Sequence, residues 1–381
     1  MSYFPGPPPG RSALDRVTPV RADFWRDCDV FVTGHTGFKG AWLAVLLTRL
    51  GARVHGYALE TPDHFLFHRA DVRALLASDV RGDIRDAAAL ETALRSSGAD
   101  VVLHLAAQSI VRASYVDPRE TFSSNVDGTV AVLDVARSVE AVTRCVVVTT
   151  DKVYRNNEWS WGYREVDRLG GDDPYSASKA CTELVAHSMA VSFPRAGYAL
   201  ATARAGNVIG GGDATPDALM PDLITAYAEG RSAVLRYPQA VRPWQLVLEP
   251  LNGYLTLAEQ LDAARHDTSW NFGPSPDDAL TVGEIADRVA ARWGDGASRR
   301  TTDDVGSHEA GRLTLDSSRA RDELGWSPVL RVDEAVAFTV DWERSVRSGA
   351  LDPRTAMEQQ VDTYLARAGL AGDRALQGAA P

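Results

Sequence analysis

Cysteine is scarce in this 381-residue sequence, and a long apolar run and a basic excess are both missing. The three cysteines, Cys28, Cys145 and Cys181, lack metal-ligand spacing, so we expect buried free thiols and neither a disulfide framework nor a metal site. No apolar run approaches the ~20 residues of a spanning helix, and the N-terminus does not resemble a signal peptide; both features favour a cytoplasmic protein. The net charge of −11 argues against nucleic acids and anionic membranes as partners.

Lysine is scarce as well. Of the 40 basic residues only Lys39, Lys152 and Lys179 are lysines, and the rest are arginines. A guanidinium is bulky and effectively always protonated, whereas a lysine ammonium is compact and can lose its proton when it is buried. A sequence that otherwise chooses arginine therefore suggests a functional need for lysine at these positions, with chance as the alternative at each.

The order of apolar segments predicts the fold class. The composition is that of a folded globular protein, and the length suggests two domains or one large domain with an appendage. Short apolar strands alternate with helical stretches, which is typical of an α/β fold with a doubly wound parallel sheet. We place strands at 30–33, 53–58, 100–106 and 144–149, helices at 41–47, 86–97, 115–139, 282–294 and 332–347, a loose arm over most of 1–27, and loops from Gly210 to Pro243.

A glycine-rich turn joins the first strand to the first helix. It reads Gly34-His35-Thr36-Gly37-Phe38-Lys39-Gly40. Without Cβ atoms such a turn can approach a pyrophosphate closely, and the charge then lies at a helix N-terminus. The context predicts a dinucleotide site, although a glycine triplet can also be a structural turn. Glu60 is a candidate for the adenosine ribose or a solvated carboxylate, and Asp83-Ile84 could meet the adenine or belong to a helix cap.

Two further motifs carry chemistry. Tyr175 and Lys179 are four residues apart at the start of a predicted helix, so they share one face, and an adjacent ammonium would help the tyrosine to act as a general base. Thr150-Asp151-Lys152 follows the strand 144–149 at its carboxyl end, where ligands bind in open α/β sheets. A hydroxyl, an acid and an amine would meet a ligand there. The alternative for Tyr175 and Lys179 is a surface helix start, and the alternative for Thr150-Asp151-Lys152 is a plain turn.

The glycine turn and Tyr175-x-x-x-Lys179 resemble the extended short-chain dehydrogenase/reductase superfamily. Within it the chain resembles the CDP-glucose 4,6-dehydratases over about residues 24–365, and the triplet Thr150-Asp151-Lys152 has Glu as its third member in the dTDP- and GDP-sugar enzymes. Two positions depart from the family pattern: Ala214 stands for Trp and Leu246 stands for His, which puts the base and the sugar in question. Further matching stretches are His104–Gln108, Asn125–Thr129, Asp173–Lys179, Arg204–Asp213, Arg242–Gln245 and Trp270–Pro274.

The resemblance implies NAD as cofactor, CDP-D-glucose as substrate and a dimer, with a tetramer as the alternative. It implies an arm at 1–27, an NAD-binding domain at 28–204 with a return near 243–273, a sugar-nucleotide domain at 205–242 and 274–370, and a tail at 371–381. The implied cofactor residues are Gly34 to Gly40, Asp83, Ile84, Leu105, Ala106, Ala107, Gln108, Tyr175 and Lys179. The implied substrate residues are Gln108, Arg204, Asn207, Arg236 and Arg242, the last two for the diphosphate.

The implied reaction begins with Tyr175 taking the 4-hydroxyl proton while C4 is oxidised, and Thr150 holds the 4-oxygen. Asp151 protonates the leaving 6-hydroxyl. Burial and Lys179 favour a neutral amine at Lys152 and Asp151 favours the ammonium, so two roles stay open. Lys152 either takes the C5 proton itself or stabilises the enolate while a water takes that proton. A 4-epimerase and a non-catalytic nucleotide-binding protein are the other functions considered.

Overall fold

A seven-stranded parallel sheet forms the centre of the molecule, with the strand order β11-β6-β5-β4-β1-β2-β3. The computed structural model describes residues 20–264, 269–294, 296–302 and 310–369. All neighbouring strands of this sheet run parallel. The strands are β1 Asp29–Thr33, β2 Arg53–Ala58, β3 Ser78–Arg81, β4 Val101–His104, β5 Arg144–Val148, β6 Ala199–Ala205, β7 Val208–Ile209, β8 Ala233–Leu235, β9 Val241–Pro243, β10 Gln245–Leu246, β11 Ser269–Phe272, β12 Ala279–Thr281 and β13 Arg299–Thr301.

Helices cover both faces of the sheet, which confirms the predicted doubly wound α/β fold. Alternate residues of β1 face opposite layers, because side chains alternate along a strand. Val30 and Val32 pack in the larger core, whereas Phe31 packs in the smaller one. The helices are α1 Ala22–Trp25, α2 Phe38–Arg49, α3 Leu66–Arg69, α4 Ala87–Ser97, α5 Val111–Val116, α6 Pro118–Phe122, α7 Gly128–Ser138, α8 Pro174–Ser192, α9 Leu219–Ala228, α10 Leu248–Gln260, α11 Val282–Trp293, α12 Val332–Arg347 and α13 Pro353–Arg367.

Three small two-stranded sheets lie beyond the end of β6. They pair β7 with β10, β8 with β13, and β9 with β12. The chain then returns to the central sheet, because β11 pairs with β6. Helix α13 returns further, since Asp362 accepts a hydrogen bond from Arg49 of α2 at 2.8 Å. The domain boundaries stay a prediction, and the tail from 371 lies outside the described residues.

The structure corrects four local predictions. The helix predicted over 115–139 is split into α5, α6, a π-helical turn and α7, because Pro118 cannot continue α5 and Asp117 instead caps α6 through Glu120 at 2.9 Å. Of the predicted arm, residues 1–19 lie outside the described residues, and its last part is not loose, since Trp25 is fully buried. The predicted loops before Pro243 contain α9, which tolerates a proline in its first turn. Among the cysteines only Cys145 is buried, while Cys28 and Cys181 are partly exposed.

Candidate active site

The glycine turn forms an anion cradle at the start of α2. Gly37 precedes the helix and offers no side-chain cap, so the first backbone N–H groups are available to a ligand. A Cβ atom on Gly40 would collide with the carbonyl oxygen of Gly34. A Cβ atom on Gly34, whose φ is +76°, would lie 2.6 Å from the backbone nitrogen of Ala106. The turn therefore needs glycine at both positions, and its geometry fits a pyrophosphate.

The side chains within this turn have different surroundings. His35 is buried and its Nε2 lies 2.8 Å from Asp79 Oδ1, so His35 anchors the turn to β3. Thr36 donates to the Leu59 carbonyl at 3.1 Å. Phe38 lies near Gly210, where an added Cβ would be 3.1 Å from the Phe38 ring. Of the predicted cofactor residues here, the structure thus gives His35 and Thr36 supporting contacts within the protein.

The segment 105–108 borders the cradle on the other side. Asn125 ties this segment to α8: its Oδ1 accepts from the Gln108 N–H at 2.8 Å, and its Nδ2 donates to Ser178 Oγ at 2.9 Å. The Gln108 side chain is engaged by Thr121 at 2.8 Å and by the Ile110 N–H at 2.6 Å. Gln108 therefore shapes this segment through both its backbone and its side chain.

A 3-10 turn after β5 carries Thr150, Asp151 and Lys152. Thr150 caps this turn through the Lys152 N–H at 3.3 Å and donates to Asp151 Oδ1 at 3.0 Å. Asp151 is 1% exposed, and its Oδ2 has no hydrogen-bond partner among the described residues. A Cβ atom on Gly206 would lie 2.9 Å from that oxygen. The carboxyl group is therefore enclosed, with one oxygen left for a ligand or a proton.

Helix α8 brings Tyr175 and Lys179 against this turn. Asp173 caps the helix through the Ser176 N–H at 2.9 Å, and Pro174 occupies its first position. Tyr175 and Lys179 are 8% and 5% exposed. Lys179 Nζ donates to the Val148 carbonyl at 3.0 Å, and Tyr175 shares a hydrogen bond with Thr150. The two predicted motifs thus form one cluster.

The pKa of Tyr175 moves opposite to the sequence expectation. Burial raises it, the hydrogen bond with Thr150 lowers it, and Asp151 raises it. The Lys179 ammonium is directed to the Val148 carbonyl. Burial also lowers the pKa of Lys179 to about 8, with Glu183 raising it. Burial thus outweighs the hydrogen bond and holds the pKa of Tyr175 above its ordinary value.

A cavity of 720 Å³ opens next to this cluster. Lys152 and Ser176 line the cavity on the side of this cluster, and residues of α9 and β8 line it elsewhere. Thr150, Asp151 and Tyr175 are buried and do not line the cavity themselves. Their chain neighbours Lys152 and Ser176 line it. Among the predicted substrate residues, the cavity is lined by Asn207, Arg236 and Arg242. The cavity is large enough for a nucleotide-sized ligand.

Arg204, in contrast, is part of a buried ion pair. Its guanidinium donates to Glu183 Oε2 at 2.8 Å and to the Tyr154 hydroxyl at 2.7 Å. Arg204 is 2% exposed and does not line the cavity. A buried charge needs such partners. We therefore assign Arg204 to supporting the site and not to contacting a ligand.

Ala214 and Leu246, the two residues that depart from the family pattern, are not among the residues that line the cavity. Leu246 is 1% exposed and packs in the larger core through β10. Ala214 stands between Asp213 and Thr215, which do line the cavity. Burial raises the pKa of Asp213 to about 6. The effect of the side chains at 214 and 246 on ligand choice stays a prediction.

The predicted adenosine contacts lie near β3. Glu60 is exposed and accepts from Arg81 at 2.7 Å beside a second cavity of 230 Å³. The Asp83 carboxylate is bound by Arg85, at 2.6 Å for its shortest contact, and Ile84 is buried. The cap of α4 is Asp86, which accepts from Ala89 at 3.0 Å. Glu60 and Asp83 are therefore paired with arginines, and neither is a bare solvated carboxylate.

Two neighbours of the cluster were not foreseen. Tyr254 of α10 is fully buried, and its hydroxyl has no partner among the described residues. Lys39, predicted only as a cofactor residue, has its Nζ 6.0 Å from the Tyr254 ring centroid and is electrostatically coupled to Asp151 and Lys152. The glycine turn and the scarcity of lysine both marked Lys39 in the sequence, whereas nothing local marked Tyr254.

The comparisons with known proteins agree with this geometry. Residues 30–273 match the NAD dependent epimerase/dehydratase family. The chain is 42% identical over 355 residues to the CDP-glucose 4,6-dehydratase of Salmonella typhimurium strain LT2, covering 91% of this chain and 98% of that protein. It is 31% identical over 335 residues to the dTDP-glucose 4,6-dehydratase of Streptomyces griseus, covering 84% and 95%.

A solved structure is similar over most of the chain. The crystal structure of the dTDP-glucose 4,6-dehydratase of Streptomyces venezuelae, with NAD bound, has a TM-score of 0.70 and 28% identity. The match covers 85% of this chain and 99% of the Streptomyces venezuelae chain. Among the described residues, no helix is both long and apolar enough to cross a membrane.

Proposed function

This chain belongs to the NAD dependent epimerase/dehydratase family, and we propose that it converts CDP-D-glucose to CDP-4-dehydro-6-deoxy-D-glucose and water. One observation carries the proposal: the Thr150-Asp151-Lys152 turn is packed against Tyr175, and Lys152 reaches into the large cavity. Dehydration needs an acid and a base beside the tyrosine that takes the 4-hydroxyl proton. A 4-epimerase has no step that uses them.

The cofactor is NAD, and the glycine turn fits its pyrophosphate. Bound NAD would supply the acceptor for the C4 hydride and the donor of that hydride to C6. Gly34 and Gly40 allow the close backbone approaches that shape the turn, and the N-terminus of α2 would face the phosphate charge. Segment 105–108 and the Asp83-Ile84 pair complete the proposed site. Tyr175 and Lys179 lie at its reactive end.

The chain's own residues then divide the proton transfers. Tyr175 takes the proton of the 4-hydroxyl while Thr150 holds the 4-oxygen. Lys152 faces the cavity and acts at the C5 proton. The enclosed Asp151 carboxyl, when protonated, gives its proton to the 6-hydroxyl, which leaves as water. The C5–H electron pair becomes the C5–C6 double bond, so charge and atoms balance.

Arg236 and Arg242 are the proposed diphosphate ligands. Both line the cavity, and a guanidinium fork matches phosphate oxygens. Arg242 is anchored by its donation to the Val241 carbonyl at 2.9 Å. Asn207 lines the same cavity, and its Oδ1 has no partner among the described residues. Asn207 is thus available to a sugar hydroxyl.

The proposed assembly is a homodimer. Val130 of α7 is 41% exposed, and Leu184 and Val191 of α8 are 59% and 47% exposed. Apolar side chains on two packed helices are typical of a self-association face. Light scattering should give twice the 41.2 kDa chain mass, and Leu184→Glu should give one chain. The proposed location is the cytoplasm, because three free thiols suit a reducing compartment.

A turnover screen across CDP-, dTDP-, GDP- and UDP-hexoses tests the function. We expect a 4-keto-6-deoxy product from CDP-glucose, with much lower turnover of the other three. A CDP-galactose product would identify an epimerase instead. Binding of a nucleotide sugar without turnover of any would identify a non-catalytic binding protein.

A further inference from the structure

An ion pair joins two walls of the large cavity. Arg112 Nη1 donates to Asp217 Oδ1 at 2.6 Å, although the two residues are 105 positions apart in the chain. Both residues line the cavity, and their side chains are 38% and 43% exposed. The pair therefore lies at the solvent-facing edge of the cavity and connects its two sides.

Arg112 belongs to the firmly held wall of the cavity. It is part of α5, which follows the segment 105–108 and packs against α6 and α8. Gln108 accepts from the Ile110 N–H at the start of α5 at 2.6 Å, and Asn125 ties the same segment to α8. The Arg112 side of the pair is thus fixed to the elements that carry the reaction cluster.

Asp217 belongs to a loop with few contacts, residues 213–218, which we call the strap. None of its six residues is buried, and five of them line the cavity. Its local hydrogen bonds, such as that from the Thr215 N–H to Asp213 at 2.9 Å, stay within the strap or continue into α9. Among the described residues, the bond from Arg112 is the only hydrogen bond that links the strap to the opposite wall.

The strength of this bond suits a contact that opens. Exposed ion pairs contribute little to stability, because water screens the attraction between their charges. A segment with few buried contacts also opens at a low free energy. The backbone of Asp217 has a φ of +60°, which aspartate tolerates better than most residues do. The strap can therefore separate from Arg112 without disturbing the core.

We propose that the strap is a gate for the nucleotide sugar, closed by the Arg112–Asp217 ion pair and opened each time a ligand enters or leaves. The inference rests on the proposed function for the class of ligand. The same pair closes the cavity before entry and behind the bound ligand, so its strength affects both rates alike. Loss of the pair should therefore speed binding and release by the same factor and leave the Kd unchanged.

Two single variants remove the pair with opposite changes in charge. Arg112→Met loses the cation, and Asp217→Asn loses the anion while asparagine still tolerates a positive φ. The full chain saturated with NAD is mixed with CDP, which has no hexose to react, and tryptophan fluorescence is followed by stopped flow, because Trp244 lines the cavity. In both variants we expect the association and dissociation rate constants to rise together by about threefold to fivefold, the size of an exposed ion pair.

The direction of the two changes separates a gate from other roles. If the charges only steer the anionic ligand, the association rate constant rises in Asp217→Asn and falls in Arg112→Met. If Arg112 contacts the ligand, the Kd rises in Arg112→Met alone. Either pattern, or unchanged rates in both variants, overturns the inference. The exchanged pair, Arg112→Asp with Asp217→Arg, should return both rates to the wild-type values, and rates that stay raised in it also overturn the inference.

Arg49→Met is the matched control. Arg49 and Asp362 form an ion pair between distant parts of the chain with side chains 37% and 45% exposed, and neither is among the residues that line the cavity. Both rate constants should stay unchanged in this variant, and an equal rise in it would show that the effect is not specific to the strap.

The measurement with CDP needs no turnover, so it is separate from the test of the proposed function. Absence of product from CDP-glucose would sink the function, whereas normal product with unmoved rates in the two variants would sink only the gate. Failure of CDP to bind the wild-type chain would count against both.

Discussion

The Lys179 ammonium donates a hydrogen bond to the backbone carbonyl of Val148 at 3.0 Å. Val148 is the last residue of β5, and Thr150, Asp151 and Lys152 follow it after one intervening residue, Thr149. The bond therefore fixes the start of α8 against the turn that carries these three side chains. It also explains how two motifs 23 to 29 residues apart in the chain, from Lys152 to Tyr175 and from Thr150 to Lys179, form one reaction cluster.

Tyr175→Phe should retain the fold and NAD binding and lose turnover by about 10²-fold or more, because it deletes only the oxygen that takes the 4-hydroxyl proton. Steady-state turnover with CDP-glucose checks this. Tyr227→Phe is the control, since it removes a different buried tyrosine hydroxyl, which has no partner among the described residues. Tyr227 does not line the cavity as described. Near-normal turnover in Tyr175→Phe would remove this residue from its role.

Asp151→Asn should spare oxidation at C4 and slow the loss of water. The amide keeps the shape of the side chain but cannot give up a proton to the 6-hydroxyl. A single turnover with substrate deuterated at C4 separates the two steps, because absorbance at 340 nm would rise and then persist. If C4 oxidation falls as much as water loss, Asp151 is not the acid of the elimination.

Lys152→Arg tests whether the amine is the base for C5. Arginine keeps the charge but is a poor base, because it remains protonated in proteins. We expect exchange of the C5 proton with solvent deuterium to fall at least about 10²-fold while first-turnover C4 oxidation survives. Exchange near the wild-type rate would mean that a water takes the proton beside a charged side chain.

Stability should fall as pH rises from about 5 to 8. Burial raises the pKa of Glu249 to about 7, and its hydrogen bonds from Val329, Leu330 and Tyr364 lower it only in part. The folded state then binds the proton more tightly than the unfolded state, so the stabilisation is complete below the unfolded pKa and is lost as pH rises through the folded one. The full loss is roughly 3 kcal/mol for this group.

Glu249→Gln should remove this part of the pH dependence, because the amide stays neutral. Urea unfolding at a series of pH values measures the change, and exposed Glu91→Gln is the control. Burial also raises the pKa of Glu259 to about 7. The unfolding free energy of the variant should therefore still fall with pH, with a smaller slope. An identical slope in wild type and Glu249→Gln would show that Glu249 is ionised throughout.

Features with a short-range cause could be predicted from the sequence. The cradle of Gly34 to Gly40 and the shared helix face of Tyr175 and Lys179 follow from local spacing, and the structure has both. The split at Asp117-Pro118 also has a local cause, because proline disfavours continuation of a helix from the residue before it. Arg204 is different: its partner Glu183 is 21 residues away and meets it only in the folded sheet.

Long-range packing also hid the surroundings of Lys39. Its position in the glycine turn indicated a cofactor residue, and the approach of Tyr254 and Asp151 depends on how α10 and the turn after β5 pack around α2. The same applies to the pKa of Tyr175, because burial outweighs the effect that spacing alone suggested. Sequence spacing predicts which side chains share a helix face, whereas burial in the folded protein shifts their pKa values.

The most direct test of the central claim follows one deuterium atom. CDP-D-glucose deuterated at C4 is incubated with the full chain and NAD, and the product is analysed by NMR and mass spectrometry. We predict CDP-4-dehydro-6-deoxy-D-glucose with the C4 deuterium transferred to C6 of the same molecule, even in a mixture with unlabelled substrate. Recovery of the deuterium at C4 of a hexose epimer, or no 6-deoxy product, would contradict the account.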